Sequence, residues 1–211
     1  MATRAKPELS SRKAPQQARS TELVAAILEA AVQVLAREGA QRFTTARVAE
    51  RAGVSVGSVY QYFPNKAAIL FRLQTDEWQQ TGRLLAQLLQ DERHPPLERL
   101  RRLVHAFVQS ECDEAAMRTA LHDAAPLYRD DAQARRAKAD SGRAIARFLR
   151  ELLPHAPPAQ RKDAADLIMD TLSAVGQQFS EQPRTSAQIR RRSAAMGQML
   201  SAYLVGLGAQ A

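Results

Sequence analysis

The apolar residues of this chain recur at intervals of three and four along most of its length. Between residues 19 and 38 the pattern runs through Val24, Ile27, Leu28, Ala31, Val34 and Leu35. This spacing puts the apolar side chains on one face of an α-helix, and the alternation of period two that is typical of strands is missing. We therefore predict an all-α protein. The predicted helices cover residues 19–38, 45–52, 56–62, 66–91, 97–111, 113–123, 129–153, 158–181 and 186–206.

The N-terminal residues 1–18 differ from the rest of the chain. They contain Arg4, Lys6, Arg12 and Lys13 and hardly any large apolar groups. We predict a flexible basic arm here, either a solvated tail or a segment that reaches into a groove of DNA. Three short helices follow, and the long fourth helix begins near residue 66. The predicted organisation is an arm over 1–18, a small helical domain over 19–65 and a larger helical domain over 66–211.

The charge of the chain indicates a class of partner. Its 211 residues carry a net charge of +8, and residues 1–66 hold 10 Lys and Arg against 5 Asp and Glu. A basic balance favours a polyanionic partner, nucleic acid first and an anionic membrane surface second. The Arg- and Ala-rich composition of a GC-rich genome is the alternative explanation, because it produces the same charge without any partner.

Several classes of function find no support in the sequence. Because Cys112 is its one cysteine, the chain has no intramolecular disulfide and no multi-cysteine metal site. No Ser/His/Asp or Cys/His arrangement, glycine-rich phosphate loop or pair of carboxylates indicates an enzyme. No apolar stretch is long enough for a membrane span or a signal peptide. We expect a cytoplasmic protein that is not an enzyme and uses no metal or cofactor.

Residues 45–62 have the pattern of a helix-turn-helix motif. Thr44 and Thr45 are candidates for the N-cap of the first helix. Ala49 is small enough to let the two helices cross closely, and Gly53 tolerates the positive φ of a sharp turn. The residues spaced to form a small shared core are Val48, Val54 and Val59. In this motif the second helix lies in the major groove of DNA.

The second of these two helices combines small, hydroxyl-bearing and aromatic residues. Ser55, Gly57 and Ser58 let the backbone approach DNA closely, and hydroxyls and free amides at a helix N-terminus are good phosphate ligands. Gln61 can offer a bidentate amide to an adenine edge, although its position between two tyrosines could also turn it partly inward. Lys66 adds a positive charge at the start of the next helix.

The whole stretch FTTARVAERAGVSVGSVYQYFPNKAAIL closely resembles the signature of the TetR/AcrR family of bacterial transcriptional regulators. The resemblance covers residues 19–70. It rests on the paired threonines, AGVS at the turn, VYQYF in the recognition helix and the NK that follows. It implies a homodimeric all-α repressor whose N-terminal helices bind a palindromic operator in double-stranded DNA. The C-terminal domain would dimerise and enclose a small effector.

The resemblance also implies DNA contacts residue by residue. They are Thr44 and Thr45 with phosphate, Ser55, Val56, Gly57 and Ser58 with bases and backbone, and Tyr60, Tyr62 and Lys66 with phosphates. Because Val56 is apolar, we expect it to contact a thymine methyl. Ala46 stands where family members often have a basic residue, and Arg47 is the candidate to replace it. Packing inside the domain is the alternative role for the two tyrosines.

Apolar stripes on the last two predicted helices suggest an assembly surface. The stripe consists of Ile168, Leu172, Val175, Phe179, Ile189, Met196, Met199, Leu200 and Tyr203. The core of a single protomer would produce the same stripe. The resemblance favours a homodimer in which two helical hairpins form a four-helix bundle.

The effector site is expected on the long connecting helix and the helices that follow it. The candidates are Trp78, His105, Phe107, Glu111, Cys112, His122, Tyr128 and Phe148, for each of which an ordinary core or surface position is the alternative. The four histidines lack the i, i+4 pairing with a carboxylate that would suggest a metal site, so we expect a mostly apolar organic effector. Its entry would shift the long helix and change the separation of the two recognition helices.

Two other functions compete with a ligand-responsive regulator. A nucleoid-type protein would bind any duplex by charge alone, with a steep dependence on salt. A small helical enzyme is the more distant alternative, because no catalytic constellation is recognised.

Overall fold

The computed structural model describes residues 8–9, 18–127, 132 and 143–210. These residues form α-helices, a short 3₁₀ turn at Ala125–Leu127 and connecting loops, and they contain no strand. The helices with bounds in this part of the chain are α1 (Ala18–Arg42), α2 (Thr45–Ala52), α3 (Val56–Tyr62), α4 (Lys66–Leu89), α5 (Pro96–Asp113), α6 (Ala115–Ala124), α7 (Arg143–Leu152), α8 (Pro158–Ser180) and α9 (Ser186–Gly206). The predicted all-α fold is confirmed.

Capping residues explain why several predicted helix bounds agree with the structure. The predictions for α2, α3 and α9 match both ends. Thr44, Ser55 and Thr185 lie at the N-caps of these three helices, and each side chain accepts a hydrogen bond from a backbone amide of the first turn. The predicted helix over 129–153 is described only as Arg143–Leu152, and residues 129–142, apart from Ala132, lie outside the described residues.

Helix α1 consists of two segments. The first ends at Gly39, as predicted, and helical structure resumes after it and continues to Arg42. Gly39 itself has φ 73° and ψ 172°, which are not helical values. The glycine therefore interrupts the helix as expected, and a short second helical segment follows the kink.

The chain divides into two compact units. The first comprises Met1–Glu77 and Ala116–Arg136, and the second Trp78–Ala115 and Ala137–Ala211. Helix α4 contributes its first part to one unit and its last part to the other. The functional boundaries that we expect after residues 18 and 65 stay predictions.

The first unit has a small core of its own. Helix α2 packs against α1 and α3. The largest fully buried side chains of this unit are Ile27, Leu35, Phe43, Phe63, Ile69, Leu70 and Leu121. At its edge Arg118 forms an ion pair with the buried Glu77, with 2.7 Å between the guanidinium Nη1 and the carboxylate Oε1.

Two residues of the expected N-terminal arm are attached to this unit. Leu9 is buried, and the Glu8 carbonyl accepts a hydrogen bond of 3.0 Å from the Asn65 side-chain amide. The prediction of a flexible arm therefore does not describe residues 8–9, because one apolar side chain and one backbone carbonyl hold them. The other residues of the arm, 1–7 and 10–17, lie outside the described part of the chain.

The second unit is built around α5, which packs against α8 and α9. Helix α7 also packs against α8. The close approach of α5 and α8 depends on Gly176, since a Cβ there would lie 3.0 Å from Cγ of Glu111 and 3.1 Å from Cε1 of Phe107. The largest fully buried side chains are Leu85, Leu100, Leu103, Ile145 and Leu149.

The same core corrects the predicted assembly surface. Six of the nine stripe residues are buried within a single chain, namely Ile168, Leu172, Phe179, Ile189, Met196 and Leu200. These residues pack inside the protomer, which was the alternative explanation for the stripe, so they cannot present a surface to a second copy. Val175 and Tyr203 are partly buried, and Met199 is 54% exposed. Leu167 and Val205, which also lie on α8 and α9, are exposed large apolar residues.

Candidate nucleic-acid interface

Helix α2 and the turn after it are held by local hydrogen bonds. The Thr44 hydroxyl oxygen accepts from the Arg47 amide at 3.3 Å, and Val48 and Ala49 form the buried face of the helix. Gly53 ends the helix in the left-handed region at φ 67° and ψ 30°. The amide of Val54 then donates to the Ala49 carbonyl at 3.0 Å. A glycine is favoured here because an L side chain rarely adopts this conformation.

Helix α3 begins with two serines that bind each other. The Ser58 amide donates to the Ser55 Oγ atom at 3.0 Å, and the two hydroxyl oxygens lie 2.9 Å apart. Val59 is buried, and Phe63, at the C-cap, is also buried. These contacts hold α3 within the first unit, while the first turn of the helix stays at the surface.

The exposed surface of α3 and its N-cap contains five of the eleven predicted DNA contacts. Ser55, Val56, Gly57, Tyr60 and Gln61 are exposed, with Val56 at 39% and Tyr60 at 40%. A Cβ at Gly57 would meet only Ser55 Oγ, at 3.6 Å, so the absence of a side chain there leaves the backbone open to approach.

Gln61 and Tyr62 on α3 differ in their exposure to solvent. Gln61 is exposed, so the partly inward orientation that we considered for it is wrong. Tyr62 is 7% exposed. This burial favours the packing role that we gave as the alternative for Tyr62, and its contact with phosphate stays a prediction.

A hydroxyl pair joins the two helices on the exposed side. The Oγ1 atom of Thr45, in the first turn of α2, lies 3.1 Å from the hydroxyl oxygen of Tyr60 on α3. Each hydroxyl can donate one proton and accept others, so the pair can offer a donor to a single anionic oxygen. We call Thr45 and Tyr60 the hydroxyl pair. Sequence reasoning assigned both residues to phosphate but did not predict that they touch.

The cationic side chains around the motif are already partly engaged. Arg47 forms an ion pair with Glu38 of α1, and the Arg51 Nε atom donates to Gln33 Oε1 at 2.6 Å. Glu38 and Gln33 lie far from their partners in the sequence, so no periodicity indicates these contacts. Lys66 is exposed at the start of α4.

The N-terminus of α4 is fixed by the residue before Lys66. The Asn65 Oδ1 atom accepts from the Ala68 amide at 3.0 Å. Asn65 therefore caps α4. The cap fixes the start of α4 directly after α3. Because Lys66 is the first residue of α4, the cap also fixes the position of its positive charge.

The predicted effector residues are divided between the two units, and Phe107 and Phe148 share one apolar core of the second unit, against which Cys112 packs. Phe107, Glu111 and Phe148 are buried in the second unit, while Trp78 and Cys112 are partly buried. Burial raises the pKa of the Cys112 thiol. His105 is at the surface, where its Nδ1 atom lies 2.9 Å from the Ser193 hydroxyl. The remaining two candidates are His122, which is exposed in the first unit, and Tyr128, which lies outside the described part of the chain.

Two structural features bear on metals and membranes. Across the described ranges, no group of three or more His, Cys, Asp or Glu residues is arranged to hold a metal ion. In the same ranges, no helix is both long and apolar enough to cross a membrane.

Two models of known protein families match this chain. The model for bacterial regulatory proteins of the tetR family matches residues 27–73, which contain α2 and α3. The model for the tetracyclin repressor-like C-terminal domain matches residues 95–207, more than half of the chain. The chain belongs to the TetR family. The resemblance of the helix-turn-helix stretch to this family is thereby confirmed, and the second match extends it to α5–α9.

Two relatives share part of their sequence with this TetR-family chain. The nucleoid occlusion factor SlmA of Vibrio campbellii is 36% identical over 83 residues, which are 39% of this chain and 42% of that protein. The fatty acid metabolism regulator protein of Bacillus subtilis is 43% identical over 47 residues, 22% of this chain and 24% of that protein. The matched region thus spans less than half the length of either relative.

Solved structures share the fold. A transcriptional regulator from Pseudomonas aeruginosa PAO1 superposes with a TM-score of 0.71 at 19% identity, over 91% of this chain and 92% of that one. A TetR-family regulator from Mesorhizobium loti MAFF303099 gives 0.70 at 17% identity, over 89% and 98%. SmeT in complex with triclosan gives 0.65 at 20% identity, over 86% and 91%. At these identities the likeness concerns the fold.

Proposed function

We propose that this TetR-family protein is a DNA-binding transcriptional repressor, which binds a palindromic operator as a homodimer and is released by a small organic effector. The observation that carries the DNA-binding part is the hydroxyl pair. It joins the starts of two helices on the exposed side of the motif, next to the small residues of the first turn of α3. A phosphate oxygen that accepts from this pair would orient α3 toward the major groove.

The exposed residues of α3 would then read the bases. Gln61 offers an amide that can bind an adenine edge in bidentate fashion. Val56 offers a methyl-lined surface for thymine, and Ser55 and Ser58 can bind the backbone. Nuclease footprinting on the DNA beside the gene for this protein tests the proposal, because a repressor protects one palindromic site. Uniform protection over the whole fragment would contradict it.

The dimer part of the proposal uses the exposed apolar residues of α8 and α9 in place of the buried stripe. Leu167, Met199 and Val205 are all at least 45% exposed. Sedimentation at micromolar concentration should show a dimer, and Met199→Arg should shift it toward monomer because a charge is costly in an apolar interface. Leu127→Arg is the matched control, since Leu127 is also an exposed apolar residue but lies in the first unit. A wild-type protein that sediments only as monomer would contradict the dimer.

The effector part of the proposal is motivated by α4, which runs from the DNA-binding unit into the other unit. Half-sites about 34–36 Å apart tolerate little change in the spacing of two recognition helices. An effector needs a differential affinity of only a few kcal/mol between two states to release the operator. The structurally similar SmeT binds triclosan, a small organic molecule. A ligand that binds this protein tightly and leaves operator affinity unchanged would contradict effector release.

The second candidate is a protein that binds DNA by charge alone. The net charge of +8 favours it, and one relative is a nucleoid occlusion factor. Such a protein would bind every duplex with similar affinity and a steep salt slope, whereas a repressor discriminates by about 10³-fold or more. Competition with unrelated duplex separates the two.

A further inference from the structure

A small cleft in the second unit brings a buried arginine to its wall. The cleft has a volume of about 240 Å³, and its lining includes Leu89 at the end of α4, Arg99 of α5, and Arg147, Phe148 and Glu151 of α7. Of the predicted effector residues, only Phe148 lines it.

Arg99 is bound at two of its three nitrogens. Its Nη1 atom donates to the Leu89 carbonyl at 2.6 Å, and its Nη2 atom donates to Oε1 of Glu151. Its Nε atom is buried and has no hydrogen-bond partner among the described residues. The side chain is 4% exposed, and its Cζ atom lies 5.6 Å from the centre of the Phe148 ring. A guanidinium stays charged in proteins, so Arg99 is a buried cation whose Nε–H donor is unpaired among the described residues.

The Nε and Nη2 atoms form one edge of the guanidinium, and this edge matches a carboxylate. A carboxylate can accept two parallel hydrogen bonds from such an edge, which is the strongest arrangement for this pair of groups. Glu151 takes only Nη2, through one oxygen. Its side chain is 54% exposed, so it can turn into water and exchange its hydrogen bond from Arg99 for hydrogen bonds with solvent. Leaving a buried donor unpaired is unfavourable, which favours a ligand that satisfies both atoms.

We propose that this cleft binds a small carboxylate, whose two oxygens take the Nε and Nη2 edge of Arg99 in place of Glu151. Leu89 and Phe148 would contact the aliphatic part, and the exposed Arg147 would add a second positive charge at the rim. The volume of the cleft limits the ligand to a short chain. The site goes beyond the proposed function and does not depend on it, because binding is measured on the protein without DNA.

Calorimetric titration of the full chain with butyrate tests the site, at constant ionic strength and with butyramide as the neutral molecule of the same shape. Butyrate should bind saturably with one site per chain, and butyramide should not. Glu151→Gln keeps the shape and a neutral carbonyl acceptor but removes the negative charge that competes for Arg99, so it should tighten butyrate binding about tenfold. Equal heats for butyrate and butyramide would overturn the proposal.

Two arginines of α7 provide matched surface variants that leave the core intact. Arg147 lines the cleft, whereas Arg150 is exposed on the same helix and does not line it. Arg147→Gln should weaken butyrate binding by about threefold, as expected for an exposed charge, and Arg150→Gln should leave it unchanged. Equal weakening by both variants would overturn the proposal. So would the absence of saturable butyrate binding in both the wild type and Glu151→Gln, and Arg99 would then have only the structural role of donating a hydrogen bond to the Leu89 carbonyl.

Discussion

Replacing Tyr60 by phenylalanine removes a single oxygen atom from the proposed interface. In the structure this hydroxyl lies 3.1 Å from Thr45 Oγ1, and the tyrosine is 40% exposed. The ring and its packing are unchanged in Tyr60→Phe, so α3 should keep its position. The loss of the oxygen should therefore affect DNA binding and leave folding intact.

The size of the effect follows from the chemistry of the lost contact. A hydrogen bond to a charged group contributes about 1.5–3 kcal/mol, so each protomer should lose about 10-fold to about 150-fold in operator affinity. An exposed hydroxyl contributes little to folding, and the free energy of unfolding should stay within about 0.5 kcal/mol of wild type.

The assay is fluorescence anisotropy with the duplex that footprinting identifies, at one fixed salt concentration, with urea unfolding in parallel. Tyr203→Phe is the matched control, because it removes the same oxygen from a half-buried tyrosine of α9. Because Tyr203 belongs to the predicted assembly stripe, sedimentation must first show that this variant keeps the oligomeric state of the wild type. If both hydroxyls of the pair bind one phosphate, Thr45→Val combined with Tyr60→Phe should lose less affinity than the sum of the single losses. A Tyr60→Phe protein that binds the operator like wild type would refute the role of the hydroxyl pair.

Four further predictions concern folding, DNA approach and the dependence of stability on pH. Gly53→Ala should lower the free energy of unfolding in urea by about 1–2 kcal/mol because φ is 67° there. Gly57→Ala should keep or raise stability, since a Cβ has room, and should lower operator affinity in anisotropy by placing a methyl on the exposed face. Gly176→Ala should destabilise the fold by about 1–3 kcal/mol in urea because its Cβ would crowd Phe107. A hydrogen bond from the nearby Arg93 lowers the pKa of Asp91 to about 2. The Asp91 carboxylate therefore stabilises the fold above a pH of about 4, and this stabilisation is lost as the pH falls from about 4 to about 2. Asp91→Asn should flatten this part of a plot of melting temperature against pH.

The helix-turn-helix could be predicted from the sequence because its signals are local. Thr44 and Ser55 cap the helices that follow them, and Gly53 adopts the positive φ that its position demanded. Each of these interactions connects residues within a few positions, so the sequence order reveals it. The bounds of α2 and α3 agree with the structure for this reason.

The assembly surface and the cationic contacts could not be predicted in the same way. A helix that packs in a protomer core and one that packs in a dimer have the same apolar period, and the structure buries Ile168 and Leu200 within one chain. The pairing of Arg47 with Glu38 depends on how α1 and α2 cross, which no spacing encodes. Leu9 has polar residues on both sides, Glu8 and Ser10, so its burial is not indicated by a repeating apolar pattern.

The measurement that tests the central claim most directly is competition binding of the full chain between the footprinted duplex and the same duplex with a scrambled sequence. We predict that the protein prefers the footprinted duplex by about 10³-fold or more, as a repressor must, and that the preference persists when the salt concentration is raised. Equal affinity for both duplexes, with a steep loss of binding in salt, would contradict sequence-specific recognition by α3 and favour binding by charge alone.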